Sequence, residues 1–229
     1  MSARWTIAFD ADDTLWENEQ FFQSSKDSFT EMLASYVEPD HLHQKLTAAE
    51  MRNLARYGYG IKGFTLSMIE TAIEVTDSRV PTSTIAAILK MGREMLDHPI
   101  ELLPHVRECL ETLGSEPDII LITKGDLLHQ EQKLAQSGLG DYFDAVEIVS
   151  EKTPEIYQRI FARRDRPRAM MVGNSMRSDI LPAIAAGGWG IYVPHDLTWE
   201  HERAEAPANS TRFHQIPHLG KLPALISGL

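Results

Sequence analysis

From residue 118 to residue 193, short apolar runs alternate with amphipathic segments, and few folds accept that order. The runs are DIILIT at 118–123, AVEIV at 145–149, RAMMVGN at 168–174 and WGIYV at 189–193. A fifth, WTIAF, stands apart at 5–9. Between the later runs lie LLHQEQKLAQSG, TPEIYQRIFARR and SDILPAIAAGG, which read as helices. A run that is apolar throughout suits a strand covered on both faces, and strands alternating with helices build parallel βαβ units. Gly138, Gly187 and Gly188 fall where these helices should stop. The expectation is an α/β domain, a parallel sheet flanked by helices.

Residues 17–97 break the alternation. They contain helical candidates near 18–37, 41–56, 62–77 and 81–97 and no convincing strand. Phe64, Met68, Ala72 and Val75 form one helical stripe with Ile69 and Ile73 alongside, and Ile85, Ile88, Leu89 and Leu96 repeat the pattern. Pro39, Gly58, Gly60, Gly63 and Pro81 punctuate the series. The organisation expected is a core made of 1–16 and 98–229, with an α-helical insert over 17–97. The closing stretch NSTRFHQIPHLGKLPALISGL is expected to add an edge strand and a short helix.

Composition narrows the functions. The 229 residues are 43% hydrophobic, enough for a folded core. A formal charge of −11 argues against nucleic acid or an anionic membrane as partner, though not against a small anion met by a local cation. Cys109 is the only cysteine, so a disulfide within the chain and a cysteine-based zinc cluster are both excluded; its place in VRECLETL reads as core. No basic start leads into an apolar signal segment and no run reaches membrane-spanning length, so a cytoplasmic location is expected. The histidines form no HExxH, and no glycine fingerprint for a dinucleotide follows Phe9.

In a parallel open sheet, the loops leaving the carboxyl ends of the strands share the face where ligands bind. The chemistry-bearing residues of this chain recur there. Asp10 and Asp12 follow the first strand, and Thr123, Lys124 and Gly125 follow DIILI. Lys152 follows AVEIV, while Gly173, Asn174 and Ser175 close RAMMV, with Asp179 shortly after. Taken singly each has a plain reading: Asp12 and Asp13 suit a helix cap or Asx turn, Lys152 a solvated surface, Asp179 the first turn of a helix. Taken together they match phosphate-ester hydrolysis. Carboxylates on oxygen-rich loops suit Mg²⁺, and one beside the ion can attack phosphorus. A lysine neutralises phosphoryl oxygens, a hydroxyl fixes one of them, and a second carboxylate moves the proton.

These residues carry a resemblance. FDADDT at 9–14, ITKG at 122–125, Lys152 and GNSMRSD at 173–179 resemble, in order, the four motifs of the haloacid dehalogenase-like (HAD) hydrolase superfamily. The resemblance implies a Rossmann-like core with a helical cap placed between the first two motifs. It also implies a phosphatase-type reaction, with Asp10 as nucleophile and Asp12 as general acid/base. Thr123, Lys124, Gly125 and Lys152 would contact the phosphoryl group. Asp10, the backbone carbonyl of Asp12, Asn174 and Asp179 would hold Mg²⁺. The fourth motif departs from the family pattern at Gly173-Asn174, where Gly-Asp is usual; the amide keeps an oxygen donor and removes a charge.

Caps of this kind supply specificity residues in the family. Arg56 and Tyr57, in ARYGYGIKG, are the candidates here, although the same stretch also reads as a helix–helix turn. The substrate implied is a small phosphorylated metabolite. The alternatives are a phosphate-binding or regulatory protein with a weakened site, a phosphosugar mutase, and a dehalogenase. Asp12 counts against the last, since the dehalogenases of the family lack the second carboxylate.

Overall fold

The structure, a computed structural model, describes residues 5–229. Its sheet has six parallel strands in the order β3-β2-β1-β4-β5-β6. These are β1 (Trp5–Phe9), β2 (Asp118–Lys124), β3 (Ala145–Val149), β4 (Arg168–Gly173), β5 (Trp189–Tyr192) and β6 (Phe213–Gln215). All five residues of β1 are buried, because it lies between β2 and β4 and has helices on both faces. The period-two alternation of a strand then divides two cores. Ile7, Phe9, Leu121, Met170 and Val172 pack with Val106 and Leu110 of α5 (Val106–Leu113) and Leu222 of α9 (Leu222–Ser227). Ala8, Ile120, Ile122 and Met171 face the other way, onto Tyr157 and Ile160 of α7 (Pro154–Ala162) and Ala183 of α8 (Leu181–Ala185). This is an α/β fold of the Rossmann type.

The described residues divide into two compact units. One runs to Glu19 and resumes over Ile100–Lys124 and Gln130–Leu229; the other holds Gln20–Pro99 and Gly125–His129. The second unit contains α1 (Glu19–Leu33) from its second residue, α2 (Pro39–Tyr57), α3 (Ile61–Val75) and α4 (Thr82–Leu96). Phe29, Leu33, Leu42, Leu46, Phe64, Met68, Ala72, Ile88 and Met95 form its own apolar core. Gly92 lets α4 approach α3, since a Cβ there would strike the Thr65 side chain. Three residues expected in the stripes, Ile73, Ile85 and Leu89, lie outside this core. Ile73 and Leu89 are exposed, because the buried line of α4 runs through Ile88, Met91 and Met95, about 100° away from Leu89. Among the described residues, no helix is long and apolar enough to cross a membrane.

Candidate active site

The chain leaves β1 under tight control. The amide of Asp10 still donates to Val172 O of β4 at 2.9 Å, and those of Thr14 and Leu15 turn back onto Ala11 O. Asp13, in the left-handed region at φ 59°, accepts from the backbone amides of Asn18 and Glu19. Asp13 is thus the carboxylate that caps the start of α1. Asp12 is left for other partners.

Residues from three strand ends meet around Lys152. Its Nζ lies 2.5 Å from Asp10 Oδ1 and 2.7 Å from Asp179 Oδ1. Local sequence sets this up: Thr153 caps α7 and Pro154 takes its first position, so the helix begins immediately after the lysine. On the other side Asp179 Oδ2 accepts from the Ser175 amide at 2.9 Å. Gly173 makes room for it, since a Cβ at that position would fall on the Asp179 carboxylate. Thr14 completes the group. Its hydroxyl stands 3.3 Å from Asp10 Oδ2 and 3.2 Å from Asn174 Oδ1, and it accepts from the Asn174 amide at 3.1 Å.

One ammonium here serves two buried carboxylates. Burial lifts the Asp10 carboxyl to about 7, with repulsion from Asp179 adding to the rise and Lys152 opposing it. Asp179 is raised by burial too, again against Lys152. Burial disfavours the Lys152 ammonium, but the two carboxylates outweigh that and hold it above its ordinary value. The pair therefore lacks positive charge. Asp10, Asp179 and the Asn174 amide offer side-chain oxygens. Such an all-oxygen set around under-neutralised carboxylates fits a hard divalent cation. A separate group, Asp13, Glu17 and His195, also brings three ligand-type atoms within 4.8 Å of one another. There the His195 imidazole already faces Glu17 Oε2 at 3.3 Å.

Asp12 has different company. Trp16 Nε1 and Lys133 Nζ reach its Oδ1 at 2.7 and 2.8 Å, and Gln130 Nε2 reaches Oδ2 at 3.0 Å. Burial would raise this carboxyl, yet the Lys133 charge and these hydrogen bonds hold it below its ordinary value. Thr123 is buried, its hydroxyl 2.8 Å from the same Gln130 nitrogen. Lys124 extends elsewhere, to Ser178 Oγ at 2.9 Å and Glu202 Oε1 at 2.7 Å. Glu202 also accepts from the Ser175 and Ser178 hydroxyls; burial opposes its charge, but Lys124 and these bonds draw it down to about 2. Gly125 follows β2 with φ 137°.

Arg56 and Tyr57 end α2 in the helical unit, where both are exposed and the Tyr57 hydroxyl donates to Glu70 at 3.0 Å. Cys109 is buried and its thiol pushed up to about 12, first by burial and then by Glu108, which is inert core chemistry. Lys133, Gln130 and Glu202 escaped sequence reasoning. The buried positions 129, 130, 133 and 137 of the helix α6 (Leu127–Ser137) are all polar, an inversion of the usual stripe that only the folded chain reveals.

A family model for haloacid dehalogenase-like hydrolases matches residues 6–187. The solved structure of a haloacid dehalogenase-like family hydrolase from Xanthomonas campestris is 41% identical, with a TM-score of 0.87 over 99% of this chain and 91% of that one. The L-2-haloacid dehalogenase of Xanthobacter autotrophicus, 19% identical, shares the fold with a TM-score of 0.65 over 98% of each chain. Among curated proteins, the pyrimidine 5'-nucleotidase YjjG of Escherichia coli (strain K12) is 33% identical over 93 residues, 37% of this chain. That match spans 41% of the nucleotidase's length.

Proposed function

We propose that this chain, which belongs to the haloacid dehalogenase-like hydrolase family, hydrolyses phosphate monoesters of small metabolites with Mg²⁺, through a phosphorylated Asp10. The observation that carries the reading is the buried Asp10–Lys152–Asp179 trio with a second carboxylate, Asp12, two positions beyond Asp10. A carbon–halogen hydrolase has no use for that second carboxylate as a proton carrier, whereas ester hydrolysis needs one twice.

Asp10, Asp179, Asn174 and the Asp12 carbonyl are the residues that would hold the cation. Bound there, it would supply charge to offset the phosphate and the carboxylates. In the first step an Asp10 carboxylate oxygen bonds to phosphorus, the ester P–O bond breaks, and the departing oxygen takes a proton that Asp12 has first drawn from solvent. Asp12 then takes a proton from water, whose oxygen attacks phosphorus and frees both phosphate and Asp10. Lys152 remains an ammonium throughout and faces the charge that builds on the phosphoryl oxygens. Thr123 fixes one of those oxygens. Arg56 and Tyr57 are assigned to choosing the alcohol, and the likeness to a pyrimidine 5'-nucleotidase supports including nucleoside monophosphates among the substrates.

The test is phosphate release from a panel of phosphomonoesters, pyrimidine nucleotides included, with Mg²⁺ and with EDTA. Asp10→Asn, checked for folding by circular dichroism, should lose nearly all turnover, since an amide cannot serve as the nucleophile. Full activity in that variant would overturn the assignment. Halide release from 2-haloacids in EDTA would instead favour carbon–halogen cleavage.

A further inference from the structure

A carboxylate in a turn just past a strand end has no rigidity of its own, and proton transfer tolerates little misplacement. Around Asp12 the fold supplies that rigidity from α6. Lys133 and Gln130 lie three positions apart, a spacing that sets both on one helix face, and both are buried. Lys133 Nζ spans Asp12 Oδ1 and Asn18 Oδ1, each at 2.8 Å. Gln130 Nε2 faces three acceptors: Asp12 Oδ2 at 3.0 Å, Thr123 Oγ1 at 2.8 Å and Lys124 O at 2.7 Å.

Neither residue is explained by packing. A buried lysine is unfavourable unless paired, and an aliphatic side chain would fill the same space more stably. The Gln130 amide makes the point more strongly. Its Oε1 is buried with no hydrogen-bond partner among the described residues, a destabilising arrangement. Turning the amide over would not relieve it, because the oxygen would then face the Asp12 carboxylate and the Lys124 carbonyl. The amide is held in this sense by what its nitrogen binds.

We propose that Lys133 and Gln130 are positioning residues for the reaction: Lys133 fixes the Asp12 carboxylate, and Gln130 ties Asp12 to Thr123 so that the proton carrier and the phosphate-fixing hydroxyl keep one spacing. The inference rests on the phosphomonoesterase reading above. It adds two residues on the helix after the second strand that act through Asp12 and Thr123 without touching substrate.

The experiment measures kcat and KM for p-nitrophenyl phosphate with Mg²⁺, beginning with the wild type and Asp10→Asn. No phosphate release by the wild type, or equal release by Asp10→Asn, removes the phosphomonoesterase reading before any α6 variant is considered. With that reading standing, Lys133→Met should lower kcat by about 10–100-fold with KM within about twofold, the scale of impaired proton transfer. Lys133→Arg should recover most of the loss. Placed on Asp12→Asn and assayed at raised enzyme concentration, Lys133→Met should add no more than about twofold, as residues acting through one another are non-additive. The proposal is overturned by a raised KM with kcat intact, by failure of the arginine to rescue, or by an equal loss in both backgrounds. Should Lys133→Met not fold, Gln130→Met is measured in the same scheme and held to the same outcomes.

Discussion

Lys152 shows how far a single side chain governs this site. Among the described residues it is the one ammonium in hydrogen-bond reach of Asp10 and Asp179, and removing one partner from a buried ion group leaves uncompensated charge worth about 3–5 kcal/mol. Lys152→Met should therefore destabilise the metal-free protein by about that much at neutral pH, and adding Asp10→Asn should recover part of it, both read by urea denaturation. The pH dependence has a definite sign. Asp10 titrates at about 7 in the folded chain against 3.8 as a free side chain, so between these values the folded state holds more protons than the unfolded. Stability contributed by this group then falls as pH rises from about 4 to about 7. In EDTA the melting temperature should decline over that interval, and Asp10→Asn should flatten the decline and melt higher at pH 8. A melting profile unchanged by the substitution would mean that the carboxylate is not strained. The positions of Asp10, Lys152 and Asp179 were readable because each lies at or within about six residues of the end of an apolar run. Lys133 and Glu202 were not, since a lysine in EQKLAQ looks like a solvated helix face until a partner 121 positions earlier is brought to it.

Among the elements, the strands were the easiest to read, for a physical reason: β1, β2 and β4 are covered on both faces and so are mostly apolar along their length. Edge position removes that signal. Phe213–Gln215 has only three residues, none fully buried, and could be expected only as part of a longer stretch. Helix stripes were read less accurately, as exposed Leu89 and Ile73 demonstrate, because apolar residues off the buried line are common on helices. The end of β4 is the most restrictive joint. Gly173 supports the Asp179 carboxylate on its bare Cα, while the turn that follows draws the Asp179 amide to Ser175 O at 3.0 Å. Gly173→Ala should push that carboxylate off the Ser175 amide, destabilising by about 1–3 kcal/mol as overpacking does. Turnover should fall with it. Calorimetry and phosphate release together check this, and an alanine variant as stable and active as the parent would contradict it.

At the scale of the molecule, contacts in the two units differ in their reach along the chain. The helical unit draws almost all its residues from one continuous segment, Gln20–Pro99, whereas the sheet joins β1 to strands more than a hundred positions downstream. Local contacts form quickly and distant ones late. A chain truncated before Arg168 should accordingly keep a helical circular dichroism signal and lose the cooperative sheet transition; a full two-state melt from that fragment would refute the division. The same topology bears on how the protein is made. During synthesis β1 emerges more than 160 positions ahead of its neighbour β4. At about 5–20 residues per second that delay is roughly 10–30 s. Throughout it the strand that leads into Asp10 remains without its second neighbour, a largely apolar edge of the kind that chaperones protect.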